Sequence, residues 1–386
     1  MQSTYIPEKK VYFRNLDSIR FFAALMVYLG HVIVPFYKYA NLGHGYARAF
    51  LNVISDGGIG VSIFFVLSGF LITYIILTEI ETTGYFSLKD FYIRRILRIW
   101  PLYFAVVIFA FLVYPYLKSL IGMSNNLCSR PGFYFTFLSN FDTIHIEKNC
   151  PGADAMMQNI TWSVAIEEQF YAFWPFIFAF LPRKFFLPAI LSVALASMAF
   201  RFYNYNDPIV LYFHTFSVLI DLAVGGLFAY MVLTSQRVRN FFKGTTYIHI
   251  LAYFILLFTF LMWNNLYPQY KYSEAIERLV YAVLFAFIIT SQSLISSPSR
   301  LELENIGIAN KLGKYTYGIY LLHPIALTLV DIGYRLMHIS RQSLAGLFIA
   351  GTLGFLLTII LSIISYEFYE KKFLQLKKKF SKVTTA

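Results

Sequence analysis

Five groups of side chains in this sequence can do chemistry, and each sits in or beside an apolar run. Arg20 and His31 stand eleven residues apart in LDSIRFFAALMVYLGH. Arg94, Arg95 and Arg98 share little more than one helical turn in FYIRRILRIWPLYF, and Glu167 and Glu168 are adjacent in TWSVAIEEQFYAFWP. His323 precedes Pro324 in YGIYLLHPIAL, and Asp221 precedes the Gly225-Gly226 pair in LIDLAVGGLFAY. Ionisable groups at membrane depth are costly, so each needs a partner or a role.

Eleven residues at about 100° each make three turns plus about 20°, so Arg20 and His31 share one helix face about 16 Å apart. Asp17, one turn before Arg20, is placed to pair with it. Ala24 and Val27 lie between them on that face and are small enough to leave a groove. Snorkelling explains Arg20 well but explains His31 poorly. Glu167 and Glu168 lie about 8–9 Å below Trp162 by helical rise, the level expected of His31. A carboxylate beside an imidazole fixes its tautomer and stabilises its protonated form, which is what a general base needs. A structural hydrogen-bond network is the plainer alternative. The two glutamates point about 100° apart, so one of them faces the site.

For any single member of the arginine cluster, anchoring on the inner face is the simpler account. Three within five residues also match a multiply phosphorylated ligand, because guanidinium forks fit phosphate. His323 is either a kink cap before proline or a direct participant. Asp221 pairs with a neighbour, and the two glycines suit close helix packing. The lysine-rich tail reads as a solvated end facing lipid headgroups.

The elements that must position these groups are membrane helices. The chain is 58% hydrophobic and 13% charged, with a mean hydropathy of +0.60, too little polar surface to cover a soluble protein of 386 residues. Ten spans are predicted: Leu16–Tyr37, Gly57–Leu77, Pro101–Ile121, Trp162–Leu181, Phe185–Phe202, Ile209–Leu233, Tyr247–Trp263, Ile276–Leu294, Tyr315–Leu336 and Leu344–Tyr366. The expected fold is thus an all-α polytopic membrane protein, one domain over residues 1–386. No cleavable signal is expected, since a polar Asp-Ser-x-x-Arg interrupts the first apolar run.

About two thirds of the lysines and arginines fall on one side of these spans, which places both termini in the cytoplasm. Lys9, Lys10, the Arg94 cluster, Arg183, Lys184, Arg300 and the lysines after Tyr369 belong to that side. The net charge of +12 reflects this bias and not nucleic-acid binding. Cys128 and Cys150 both fall in the Gly122–Ile160 connection, on the outer side, where a disulfide is favoured over two unpaired thiols. No zinc spacing and no phosphate-binding glycine loop is seen.

These motifs resemble the membrane-bound acyltransferase-3 family of bacterial O-antigen and peptidoglycan O-acetylases, over nearly the whole chain. Arg20 and His31 match its Arg/Lys-x10-His pattern. GGIGVSIFFVLSGFLIT, RRILRIWPLY, TWSVAIEEQFYAFWP and YGIYLLHPI match its second helix, arginine cluster, WSLSVEEQFY block and late helix. Relatives often carry arginine two residues before the aspartate of VLIDLAVGG; here it is Leu219, which puts a role for Asp221 in doubt. The family's common extracellular esterase-like domain is not expected after span ten.

The resemblance implies an inner-membrane acyltransferase that uses acyl-CoA, acetyl-CoA by preference, and holds no permanent cofactor or metal. Arg20, Arg94, Arg95 and Arg98 would bind the donor and His31, Glu167 and Glu168 would be catalytic, with Glu167 orienting His31. Asp17, Trp162, Ser163, Tyr171 and His323 would support them. The pantetheine arm would follow the groove on the first helix, and the acceptor would be a carbohydrate hydroxyl outside. A transporter of polysaccharide or small organic acids is the competing class, but it does not require arginines inside together with a His/Glu pair outside.

Overall fold

The computed structural model describes residues 13–40, 46–120, 122, 126–153, 156–244, 247–266, 271–294, 306–338 and 344–381. Over these the chain is helical, and a long helix occupies each expected span. They are α1 (Arg14–Ala40), α2 (Gly57–Thr83), α3 (Leu88–Ile108), α4 (Trp162–Phe180), α5 (Phe186–Tyr203), α6 (Thr215–Thr234), α7 (Tyr247–Leu266), α8 (Ser273–Leu294), α9 (Thr316–Leu336) and α10 (Leu344–Ile364). Lys9, Lys10, Ile121, Arg300 and Lys382, used above, lie outside the described residues.

Seven of these helices are long and apolar enough to cross a membrane: α1, α2, α3, α5, α6, α9 and α10. α4 carries Glu167, Glu168 and Gln169, and α8 carries Glu274, Glu277 and Arg278.

α2 is the axis of the bundle. It starts at Asp56, whose side chain caps the Ile59 amide at 3.1 Å, and it packs most extensively on α6. The two backbones touch: a Cβ on Gly69 would lie 1.9 Å from the Leu222 carbonyl oxygen, and one on Gly225 2.0 Å from that of Val66. The close packing expected of Gly225-Gly226 is therefore present. Phe65, Val66, Phe70, Ile72 and Ile76 of α2 are completely buried.

α3 starts at the Ser87 cap, passes through a π-helical turn at Phe109–Val113 and runs on to Leu120. The connection from α3 to α4 is stapled by a Cys128–Cys150 disulfide and by an Arg130–Asp142 ion pair of 2.5 Å. It then folds back into the bundle. The Phe137 ring lies 5.5, 4.6 and 5.5 Å from those of Trp100, Tyr103 and Phe104. Phe137 has a left-handed backbone, φ 56°, and its carbonyl accepts from Gln169 Nε2 at 2.8 Å. A non-glycine residue held there costs of order 1 kcal/mol, which its ring and carbonyl contacts must offset.

Candidate active site

His31 is exposed near the far end of α1, and its partner is His323. The two rings lie 4.9 Å apart, with His323 Nε2 3.4 Å from His31 Nδ1. His31 Nδ1 is 2.9 Å from the Val27 carbonyl oxygen, and His323 Nδ1 is 3.2 Å from that of Ile319. A carbonyl only accepts, so both neutral rings carry their proton on Nδ1. His323 Nε2 is then an acceptor facing the His31 Nδ1 proton, and His31 Nε2 keeps a bare lone pair. That is the protonation state of a general base.

The first helix bears out two expectations and overturns one. Arg20 pairs with Asp17, and Arg20 and His31 stand on one continuous helix, eleven residues apart. The face between them is no groove, however, because Ala24 and Val27 are buried at 1% and 2% exposure. A Cβ on Gly60 of α2 would lie 2.5 Å from the Ala23 carbonyl oxygen, so α2 fills that face. Small residues here permit close packing and do not leave space.

The three arginines of α3 have three different surroundings. Arg94 is buried, ion-paired to Glu79 at 3.0 Å, and donates to the Phe380 carbonyl at 2.7 Å. Arg95 lies over the rings of Phe91 and Tyr171, 5.5 Å from each, and its buried Nε has no hydrogen-bond partner among the described residues. Arg98 is exposed.

The glutamates belong with these arginines, not with His31. Tyr171 donates to Glu167 Oε2 at 3.0 Å and also contacts Ser68; Trp100 Nε1 donates to Glu168 Oε2 at 2.9 Å. Arg95 is an electrostatic neighbour of both carboxylates. Glu168 Oε1 is buried without a hydrogen-bond partner among the described residues. Among the described residues no hydrogen bond joins either glutamate to His31; the side chain that meets His31 is His323. Trp162 is no interfacial residue: it is buried against Phe65, Tyr212 and Phe213.

One helix touches every part of this arrangement. Along α9, the Tyr317 hydroxyl donates to the Ile99 carbonyl of α3 at 2.8 Å. The Tyr320 hydroxyl meets Ser163 Oγ of α4 at 2.5 Å, and His323 meets α1. The three side chains span about 9 Å of helical rise.

A second polar group lies beside α2. Asp221 accepts from Ser62 at 2.5 Å and from Arg278 Nε at 2.9 Å. The arginine missing at position 219 is thus supplied from α8. A cavity of about 310 Å³ opens next to it, lined by Asp56, Gly58, Tyr212, Glu277 and Arg278 among others. Its Asp56 follows Ser55, whose carbonyl oxygen would lie 2.8 Å from a Cβ on Gly30 of α1. Glu79, Arg278, Tyr317 and Tyr320 were not singled out from sequence. Glu79 and Arg278 are charged residues inside apolar runs, and that signal could have found them.

Residues 13–367 match the family described as an acyltransferase domain. The chain is 30% identical to the peptidoglycan O-acetyltransferase OatA of Listeria monocytogenes, over 71% of this chain and 45% of the relative. It is 28% identical to YrhL of Bacillus subtilis, whose name as a peptidoglycan O-acetyltransferase is provisional, over 93% of this chain and 54% of the relative. The chain therefore spans about half the length of these relatives. No solved structure matches it. With a family match across almost its whole length and membrane helices that carry the motifs, the chain belongs to the acyltransferase-3 family of multi-pass membrane proteins.

Proposed function

We propose that this protein is an O-acyltransferase of the cell membrane, with ten transmembrane helices and both termini cytoplasmic. It moves an acyl group, acetyl by analogy with the names of its relatives, from cytoplasmic acyl-CoA to a hydroxyl of a cell-envelope glycan. The observation that carries the reading is the His31–His323 pair, which leaves His31 Nε2 bare beside accessible space. That nitrogen takes the acceptor hydroxyl proton while the oxygen attacks the thioester carbonyl. The C–S bond breaks, and the proton passes to the leaving thiolate, giving an ester and free CoA.

The other end of the site supports the donor. Arg20, Arg95 and Arg98 offer guanidinium groups for phosphates, while Arg94 holds its neighbours in place through Glu79. The buried Arg95 Nε donor and Glu168 Oε1 acceptor lack protein partners, and the amides of a pantetheine arm supply the matching groups. The carboxylates and tyrosine of the cavity beside Asp56 suit a hydroxyl-rich acceptor.

The test is the alkali-labile acyl content of envelope glycan in a strain lacking this gene. Complementation with the wild type restores it; His31→Ala, inserted and expressed at the same level, does not. Normal acylation by His31→Ala overturns the assignment.

A further inference from the structure

Beyond α10 the chain makes a π-helical turn at Ser365–Glu370, a helix at Lys371–Lys377 and a short turn at Lys378–Phe380. Residues after 370 lie past the family match, so membership assigns them no role. Lys371, Lys372, Lys378 and Lys379 are exposed, as a solvated tail requires. Lys377 is not: only 8% of it is exposed. This corrects the expectation for the tail and makes Lys377 a different kind of residue from its neighbours.

The segment is fastened onto α3. Arg94 donates to the Phe380 carbonyl at 2.7 Å, and the Tyr369 hydroxyl donates to the Pro101 carbonyl at 3.2 Å. Lys377 is thereby turned toward Arg98, Arg95, Arg94 and Arg20, its strongest electrostatic neighbours, all of which repel it. Arg94 and Arg20 are already paired, with Glu79 and Asp17, and Glu370 is an electrostatic neighbour of Arg98. The Lys377 ammonium has no hydrogen bond or ion pair to any described residue. A buried cation set among cations is unfavourable for the protein alone, and a polyanion between them reverses the sign of every one of those interactions.

We infer that Lys377 is a further phosphate ligand for the donor, and that the Lys371–Phe380 segment forms the inner wall of the donor site. The inference rests on the acyl-CoA reading above. Phosphate groups placed among Arg95, Arg98 and Lys377 exchange like-charge repulsion for charge-assisted hydrogen bonds.

The test is binding of coenzyme A, and separately of pantetheine, to the full chain in phosphatidylcholine nanodiscs, where no anionic headgroup competes. Lys377→Met is expected to weaken coenzyme A about tenfold, the scale of one charged hydrogen bond. Pantetheine, which has no phosphates, should be unaffected, and Lys377→Arg should restore coenzyme A affinity. Lys184→Ala, an exposed lysine outside this segment, should change neither ligand. If Arg98→Ala weakens coenzyme A and Lys377→Met does not, the tail inference fails while the donor reading stands. Tighter coenzyme A binding by Lys377→Met would make the segment a plug and overturn the inference. An equal loss for both ligands would reduce Lys377 to packing. A wild-type protein that binds no coenzyme A sinks the donor reading and this inference with it.

Discussion

In the proposed reaction His323 acts through His31, as a positioning residue. Its Nε2 and the Val27 carbonyl together hold the His31 Nδ1 proton, and so keep Nε2 free for the acceptor. His323→Leu is expected to lower kcat between about tenfold and a hundredfold with little change in KM for acyl-CoA, because the donor site is untouched. His323→Gln, whose amide oxygen can still accept, should retain more activity than His323→Leu. Equal activity of both variants with the wild type would show that Val27 alone fixes the tautomer. Sequence analysis located both histidines, because an intramembrane histidine stands out in an apolar run. It could not pair them, since nearly three hundred residues separate them and only the packing of α9 on α1 brings them together. Glu167 misled for a related reason: rise along α4 gives its depth, but not which neighbouring helix it faces.

At the scale of elements, the helices were legible as apolar runs, seven of them of membrane length, and the staple from Cys128 to Cys150 followed from compartment logic. What stayed hidden was contact between elements. Small residues on α1 resembled a groove, yet α2 fills that face through Gly60. At α2 and α6 the glycine signal was right, and it can be tested. Gly225→Val places a Cβ 2.0 Å from the Val66 carbonyl oxygen, and no side-chain rotation relieves a clash with backbone. The helices must separate, which breaks packing along Phe65, Val66 and Phe70 and shifts Ser62 away from Asp221. The expected outcome is a loss of several kcal/mol and failure to recover folded protein in detergent, whereas Gly244→Ala, outside the interface, should be tolerated. Recovery of Gly225→Val with an unchanged melting temperature would contradict the close approach.

For the whole molecule, the proposed reaction is divided between two sides of a membrane. The cations gather where α1, α3 and the C-terminal segment meet, and His31 stands about 16 Å up α1 by helical rise. α9 runs between them, touching α3 at Tyr317, α4 at Tyr320 and α1 at His323. In the proposed reaction a donor held at one end presents its thioester at the other, and the acyl group alone crosses. Sealed inside-out vesicles place the cytoplasmic face outward. They should consume added labelled acyl-CoA when acceptor glycan is trapped within, with label appearing inside as an alkali-labile ester and free CoA accumulating outside. Right-side-out vesicles should consume none until permeabilised, since the donor's phosphates bar it from crossing. Reducing the Cys128–Cys150 bond should impair acceptor use and spare coenzyme A binding, because that staple belongs to the connection between α3 and α4 and not to the arginine end. A transporter moves an intact solute and leaves every thioester whole. Solute uptake without CoA release would therefore displace the acyltransferase reading, whatever the arginines bind.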